Sequence, residues 1–405
     1  MKSKILPAIV SGLVASTLFS CDTEITNDNS HLRNPQTVQV KPNNLAQNVG
    51  NSKKTKIKLA LILDTSNSMD GLINQAKNQL WKIVMELAKT KDKNGEDPSI
   101  DLALYQYGND NLSIRNGYIE LVQKFTGELD EISEKLFALT TRGGEEYCGQ
   151  VINNSLSELA WSNSPQDLQM IYIAGNERFN QGYLDYKKVC VWAKKKNITV
   201  NTIFCGKRTE GIKSLWKHGA DLTGGQFACI DSDIQTVHYS SPYDNEISRL
   251  NTALNNTYVP YNTSGVAKKR KQLSEDSKAE RLNKSMASKR YLSKGSKVYR
   301  NKQWDLVDYS KETHFNIDSV SAVALPDSLG KLSKSALKNK IEELSKKRES
   351  IKKEMSNLSK KREDYVQKQK INAIKNDTVL LEDAIIKGLK EQAKKKSITF
   401  EKKMN

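Results

Sequence analysis

Lys56-Ile57-Lys58-Leu59-Ala60-Leu61-Ile62-Leu63-Asp64 is a near-continuous apolar run that closes on a carboxylate, and Thr65-Ser66-Asn67-Ser68 follow it directly. A run without polar alternation predicts a strand covered on both faces, as in a parallel sheet with helices above and below. Just past it, Leu72, Ile73, Ala76, Leu80, Ile83, Val84 and Leu87 recur at three- and four-residue steps, which predicts a helix packed by one face onto that sheet. Asp64, Ser66 and Ser68 offer one carboxylate and two hydroxyls on alternate residues beyond the strand end, where ligands gather in open α/β sheets. Oxygen donors without a soft ligand suit Mg²⁺, Mn²⁺ or Ca²⁺. The same residues also suit a simple helix-capping turn.

Working outward, strands are expected at 100–107, 118–125, 169–174, 198–205 and 226–231. Helices are expected at 129–139, 148–159, 183–195, 211–218 and 244–256. Alternating strands and helices predict a mostly parallel sheet with helices on both faces. The pair 100–107 and 118–125, joined by Gly108-Asn109-Asp110-Asn111, is the expected hairpin exception.

The chain has 405 residues and a net charge of +17, with 37% hydrophobic and 27% charged residues. Residues 266–405 hold 36 Lys+Arg and 19 Asp+Glu, which accounts for the whole net charge of +17. The tail of this basic region, from 331 on, holds only Tyr365 and Phe400 as aromatics, which argues against nucleic acid and leaves two readings, a solvated basic face or a partner in anionic lipid or cell-wall polymer. From Leu337, the apolar positions Ile341, Leu344, Ile351, Met355, Leu358 and Tyr365 follow a heptad step, with Arg348 and Arg362 in its two gaps. Two arginines in the seam favour packing on the chain's own body over a homodimer.

At the other end, Lys2 and Lys4 precede an apolar run from Ile5 to Phe19. That pattern is a secretory leader. Leu18-Phe19-Ser20-Cys21 resembles a bacterial lipoprotein box, which implies cleavage before Cys21, lipid attachment to its sulfur, and a place in the cell envelope, at the outer membrane or cell surface. The expected organisation is a leader at 1–20, a polar tether at 21–55, an α/β domain at 56–260, a basic linker at 261–330 and a helical, coiled-coil-like tail at 331–405.

Asp64-x-Ser66-x-Ser68 ahead of a helix resembles the metal-ion-dependent adhesion site of von Willebrand factor type A domains, and the α/β order from 56 to 257 is similar too. G-G-E-E-Y-C-G and I-A-G-N-E-R-F-N-Q-G further resemble a subgroup of bacterial lipoproteins with such a domain. The resemblance implies a doubly wound, Rossmann-like sheet of six strands, one antiparallel, with a divalent cation at its edge that accepts an acidic group from a protein partner. Two positions depart from the family pattern. Glu145 stands where a Thr is usual, and Gly175 or Asn176 where an Asp is usual. The second carboxylate is therefore expected at Glu145, with Thr141 as the alternative and Asn176 or Glu177 outside the first ring of ligands. Tyr147, Arg178, Phe179 and Asn180 are the expected rim, Arg178 facing an acid. In such a fold Cys205 and Cys229 lie on neighbouring strands, which points to a disulfide, with Cys148–Cys190 as its complement and four free thiols as the other reading.

His31, His218, His238 and His314 form no catalytic pattern, so binding is expected rather than catalysis. A periplasmic scaffold is the alternative to adhesion; a metal-dependent hydrolase is the weaker third.

Overall fold

The computed structural model describes residues 54–230, 239–373 and 381–400. The expected leader, Cys21 and the tether as far as residue 53, together with His31 and His238, lie outside the described residues. In chain order the elements are β1 (Lys56–Asp64), α1 (Ile73–Leu87), β2 (Thr90–Lys91), β3 (Ser99–Tyr107), β4 (Ile119–Thr126), α2 (Leu129–Ala138) and α3 (Cys148–Glu158). Next come β5 (Leu168–Gly175), α4 (Tyr186–Lys195), β6 (Thr199–Cys205), α5 (Arg208–Lys213), α6 (Trp216–Asp221) and β7 (Phe227–Ile230). The remainder is α7 (Asp244–Asn255), α8 (Asn262–Leu282), α9 (Lys284–Gly295), α10 (Leu306–Tyr309), α11 (Asp327–Gly330), α12 (Lys334–Ala373), α13 (Leu381–Lys394) and β8 (Thr399–Phe400).

The central sheet runs β4-β3-β1-β5-β6-β7. Only β4 is antiparallel, paired with β3 as the expected hairpin. This is the doubly wound, mostly parallel six-stranded arrangement anticipated from the sequence. Alternation along β1 explains its apolar run: Ile57, Leu59, Leu61 and Leu63 enter the core on one side, while Ala60 and Ile62 enter the core on the other. The first side is covered by α1, α7 and α13, the second by α3, α4 and α6. The expected helix at 211–218 is two helices, because Leu215 takes a left-handed conformation (φ 72°) between α5 and α6. Among the described residues no helix is long and apolar enough to cross a membrane.

The heptad seam of α12 is buried against the chain's own body. Leu337, Ile341, Ile351 and Met355 are buried, and α12 lies on α7, α9 and α10. The two seam arginines are buried with acids. Arg348 Nη1 donates to Asp305 Oδ2 at 2.5 Å and Asp308 Oδ1 at 2.7 Å, and Arg362 Nε donates to Asp244 Oδ1 at 2.8 Å.

The anticipated disulfides are not formed by Cys148, Cys190, Cys205 and Cys229. In the β6–β7 pairing Cys205 sits opposite Ile230 and Cys229 opposite Phe204. The two cysteines are thus one step out of register, and neighbours one step apart point to opposite faces of a sheet. Cys205 accordingly joins one core and Cys229 packs against the other.

A carboxylate-lined candidate metal site at the edge of the sheet

Three loops meet where β1, β3 and β5 end. Thr65 N donates to Tyr107 O (2.9 Å) and Arg142 N donates to Thr65 O (2.9 Å). Asn109 Nδ2 donates to Thr140 O at 3.0 Å and Thr65 O at 3.3 Å. These bonds lash the loops after β1, β3 and α2 together around Asp64, whose residue exposure is 0%.

Asp64 Oδ1 accepts from Ser66 N at 2.8 Å. Its other oxygen, Oδ2, is buried without a hydrogen-bond partner. Ser66 Oγ and Ser68 Oγ stand 2.8 Å apart, and Ser68 Oγ donates to Asn176 Oδ1 at 2.9 Å. Asn176 Nδ2 returns a bond to Ser68 O at 3.1 Å. The expected alternate-residue set of Asp64, Ser66 and Ser68 is thus assembled, with Asn176 bonded to its outer hydroxyl.

The second carboxylate is Glu146, where Glu145 was anticipated. Glu145 is exposed and Glu146 is buried. Burial pushes the Glu146 carboxyl up to about 7, with the charges of Asp64 and Glu177 adding to the rise and the Ser66 hydroxyl opposing it. Burial likewise pushes Asp64 up to about 6 against the hydrogen bonds of Ser66 and the pull of the Asn176 backbone N–H, which does not reach hydrogen-bonding geometry, with Glu177 adding repulsion. Thr141, the alternative, turns away and donates its hydroxyl to Asp70. The sequence signal for Glu146 was faint: it lies two residues before Cys148, which α3 carries into the core.

Two glycines make room for the pair of acids. Gly108 has φ +77°, and a Cβ there would meet Asp64 Oδ1 and Glu146 Cγ, each at 2.9 Å. A Cβ on Gly175 would meet Tyr107 OH at 2.5 Å and Asp64 Oδ2 at 3.0 Å. Sequence reading took Gly108 for a turn residue and Gly175 for a displaced ligand position; both serve close approach to Asp64.

Of the anticipated rim, Arg178 and Asn180 are exposed, with Arg178 Nε 3.4 Å from Asn180 Oδ1. Tyr147 is half-buried beside Gly182. Phe179 is not part of the rim. It is fully buried between Tyr186 and Trp216, ring centroids 5.4 and 5.0 Å away, because the loop folds this apolar ring inward. Glu177 is half-buried and its carbonyl accepts from Trp216 Nε1 at 2.6 Å.

The residues fit a hard divalent cation. A buried carboxylate oxygen lacks a partner, a second carboxylate lies close to the same residue, and both are held above their ordinary range by burial, with Glu177 repelling both and Asp64 repelling Glu146, which a cation would relieve. The donors are two carboxylates and two hydroxyls; among the described residues no group of three or more His, Cys, Asp and Glu side chains forms a metal cage.

No family model matches the sequence, and no curated protein matches it. Among solved structures, proximal thread matrix protein 1 from the mussel byssus, with a zinc-occupied adhesion-site motif, is 13% identical over 45% of this chain and 43% of its own, with a TM-score of 0.33. The chain thus spans less than half the length of that protein. BatB from Bacteroides thetaiotaomicron is 16% identical over 43% of this chain and 90% of its own, with a TM-score of 0.32. The von Willebrand factor domain of the type V pili tip protein Mfa5 from Porphyromonas gingivalis is 12% identical over 44% of this chain and 91% of its own, with a TM-score of 0.32.

Proposed function

We propose that the chain is a lipid-anchored binding protein of the cell envelope whose α/β body captures an acidic group of a protein partner through a divalent cation, Mg²⁺, Mn²⁺ or Ca²⁺. Asp64, Ser66, Ser68 and Glu146 would hold the ion. A bound cation there supplies positive charge and an acceptor position for an incoming carboxylate.

The observation that carries this reading is the orphaned Asp64 Oδ2, buried in a carboxylate that has a second acid, Glu146, close by. Leaving a carboxylate oxygen unpaired in the interior is costly and marks a place kept for a ligand rather than for stability. The chain's own groups organise the rest. Ser66 N fixes the inner oxygen of Asp64, Asn176 orients Ser68 from the neighbouring loop, and exposed Arg178 stands ready to pair with a further acid on the partner.

Titration calorimetry with Mn²⁺ tests the reading residue by residue. Asp64→Asn should abolish binding, Glu146→Gln should weaken it tenfold or more, and Glu145→Gln should leave it unchanged. Equal affinity of the Glu146→Gln and parent chains would remove Glu146 from the site, and Mn²⁺ binding by Asp64→Asn would remove the site itself. Capture of an acidic partner should then be lost with EDTA.

A further inference from the structure

Several of the strongest cations of the basic C-terminal region are committed inside the molecule. Lys268 pairs with Glu128 and Glu131, and Lys271 with Glu134 at 2.6 Å. Arg290 and Lys294 share Asp276, and Arg348 and Arg362 are spent on buried acids. A cluster of free cations beside apolar surface sits instead on α4, in the α/β body.

The helix reads Y-K-K-V-C-V-W-A-K-K. Tyr186, Val189, Cys190 and Ala193 are buried, so Lys187, Lys188, Val191, Trp192, Lys194 and Lys195 face outward. Val191 is 43% exposed, Trp192 46%, and Tyr183, just before the helix, 82%. The ammonium groups of Lys187, Lys188, Lys194 and Lys195 make no hydrogen bond or ion pair with any described residue. Asp185 is the one acid from 183 to 197, and its carboxylate is engaged by Lys187 N at 2.9 Å as the helix cap. Lys196, by contrast, is folded back onto Leu156 O at 2.9 Å and Pro165 O at 2.7 Å.

Helix stability does not account for this face. Lys194 and Lys195 suit the negative end of the helix dipole, but Lys187 and Lys188 lie in the first turn, where a cation is unfavourable. An exposed Trp beside an exposed Val adds nothing to a soluble helix.

We propose that this face of α4 seats the body on an anionic lipid surface. Trp192 and Val191 enter the headgroup layer, and the four lysines reach phosphate with their aliphatic stems laid along it. Interfacial tryptophan flanked by lysine is the chemistry of that layer, and lysine stems accommodate it by extending outward. The helix is a rod of about 15 Å; the recess beside it, lined by Tyr183, Lys187 and His218, lies at its N-terminal end and does not include Val191 or Trp192, so the apolar side chains of this face have no groove to seat a peptide. A polyanion met through phosphate alone would leave Trp192 and Val191 in water, which is why lipid is favoured over nucleic acid. The proposal stands apart from the metal site and from any N-terminal lipid.

The compact body Lys53–Asn405, mixed with phosphatidylcholine vesicles with and without phosphatidylglycerol, tests it by sedimentation and tryptophan fluorescence. Binding should require the anionic lipid and weaken with salt. It should blue-shift the emission by a component that Trp192→Phe removes. Each Lys→Gln at 187, 188, 194 or 195 should lower the affinity roughly fivefold, while Lys338→Gln and Lys353→Gln on exposed positions of α12 leave it unchanged. Undiminished binding by the chain with Lys187, Lys188, Lys194 and Lys195 all changed to Gln overturns the proposal. So does anionic-vesicle binding in which the Trp192 component does not shift, or retention on duplex DNA that equals retention on the anionic vesicles.

Discussion

At Asp64 a ligand site and a stable core make opposite demands. Its carboxylate is held up to about 6 by burial, and its Oδ2 has no partner. In chelator, Asp64→Asn should therefore stabilise the chain by about 1–2 kcal/mol, since the amide removes the repulsion with Glu146 and the cost of a buried charge. Excess Mg²⁺ should raise the melting temperature of the parent and leave that of Asp64→Asn unmoved. A parent that does not respond to Mg²⁺ would count against a cation at this place. The residues Asp64, Ser66 and Ser68 were legible in the sequence because they leave a regular strand, whose parity and end can be read. Glu146 was not, because in the irregular stretch before α3 the choice between adjacent glutamates is made by the packing of Gly144 on Gly108, whose carbonyl oxygen would lie 2.5 Å from any Cβ. Phe179 was misplaced for a related reason: composition marks a loop, but not which of its side chains folds inward.

Among elements, two charged groups show how the helices are fixed. On α1, Lys77 is buried and donates to Leu139 O at 2.7 Å, closing the end of α2. Burial brings its amine down to about 8, below the value near 10.4 of an unfolded chain. Between those two values the unfolded state binds more protons than the folded one, so stability should rise with pH from about 8 to about 10.4. The parent should gain on the order of 2 kcal/mol relative to Lys77→Met across that window, read from urea unfolding at each pH. On α12, Arg348 is buried with Asp305, whose residue exposure is 0%. Its Nε donates to Thr257 Oγ1 at 3.0 Å and its Nη2 to Thr257 O at 2.5 Å. Arg348→Ala should cost about 3–5 kcal/mol, because it strands the Asp305 charge in the interior, and Arg348→Met with Asp305→Asn should recover much of that loss. A single substitution costing under 1 kcal/mol would show that the pair is not what seats α12. The heptad step and its two arginine gaps were visible in the sequence; the identity of their acids was not, since Asp305 and Asp244 lie 43 and 118 residues away.

At the scale of the molecule, the change of composition near residue 260 divides the sequence into an α/β domain and a helical tail. The packing joins them. From Lys53 on, the chain is one compact unit. α13 lies against α1 and β7, and Ile385, Leu389 and Ala393 are buried in the same core as Leu59 and Leu61. Gln392 and Asn201 exchange side-chain hydrogen bonds of 2.6 and 3.3 Å, while β8 pairs with β2. A 14-residue amphipathic helix that packs into a core begun more than 300 residues earlier leaves no local trace of its destination. Removing everything beyond residue 260 would uncover one face of the sheet near β7 and leave buried Asn201 without Gln392. Ile385 and Leu389 alone account for about 3–6 kcal/mol of apolar burial, comparable with the whole stability of an ordinary domain. Residues 54–260 on their own should therefore bind a hydrophobic dye, melt without a sharp transition and be cleaved rapidly by trypsin, while 54–405 melts cooperatively. If the short fragment instead melts as sharply and as high as the long one, α12 and α13 are attachments to a self-sufficient domain. Should the expected result hold, the cation affinity of Asp64 and Glu146 must be measured on the whole body, because the loops that assemble them rest on a sheet the C-terminal helix helps to close.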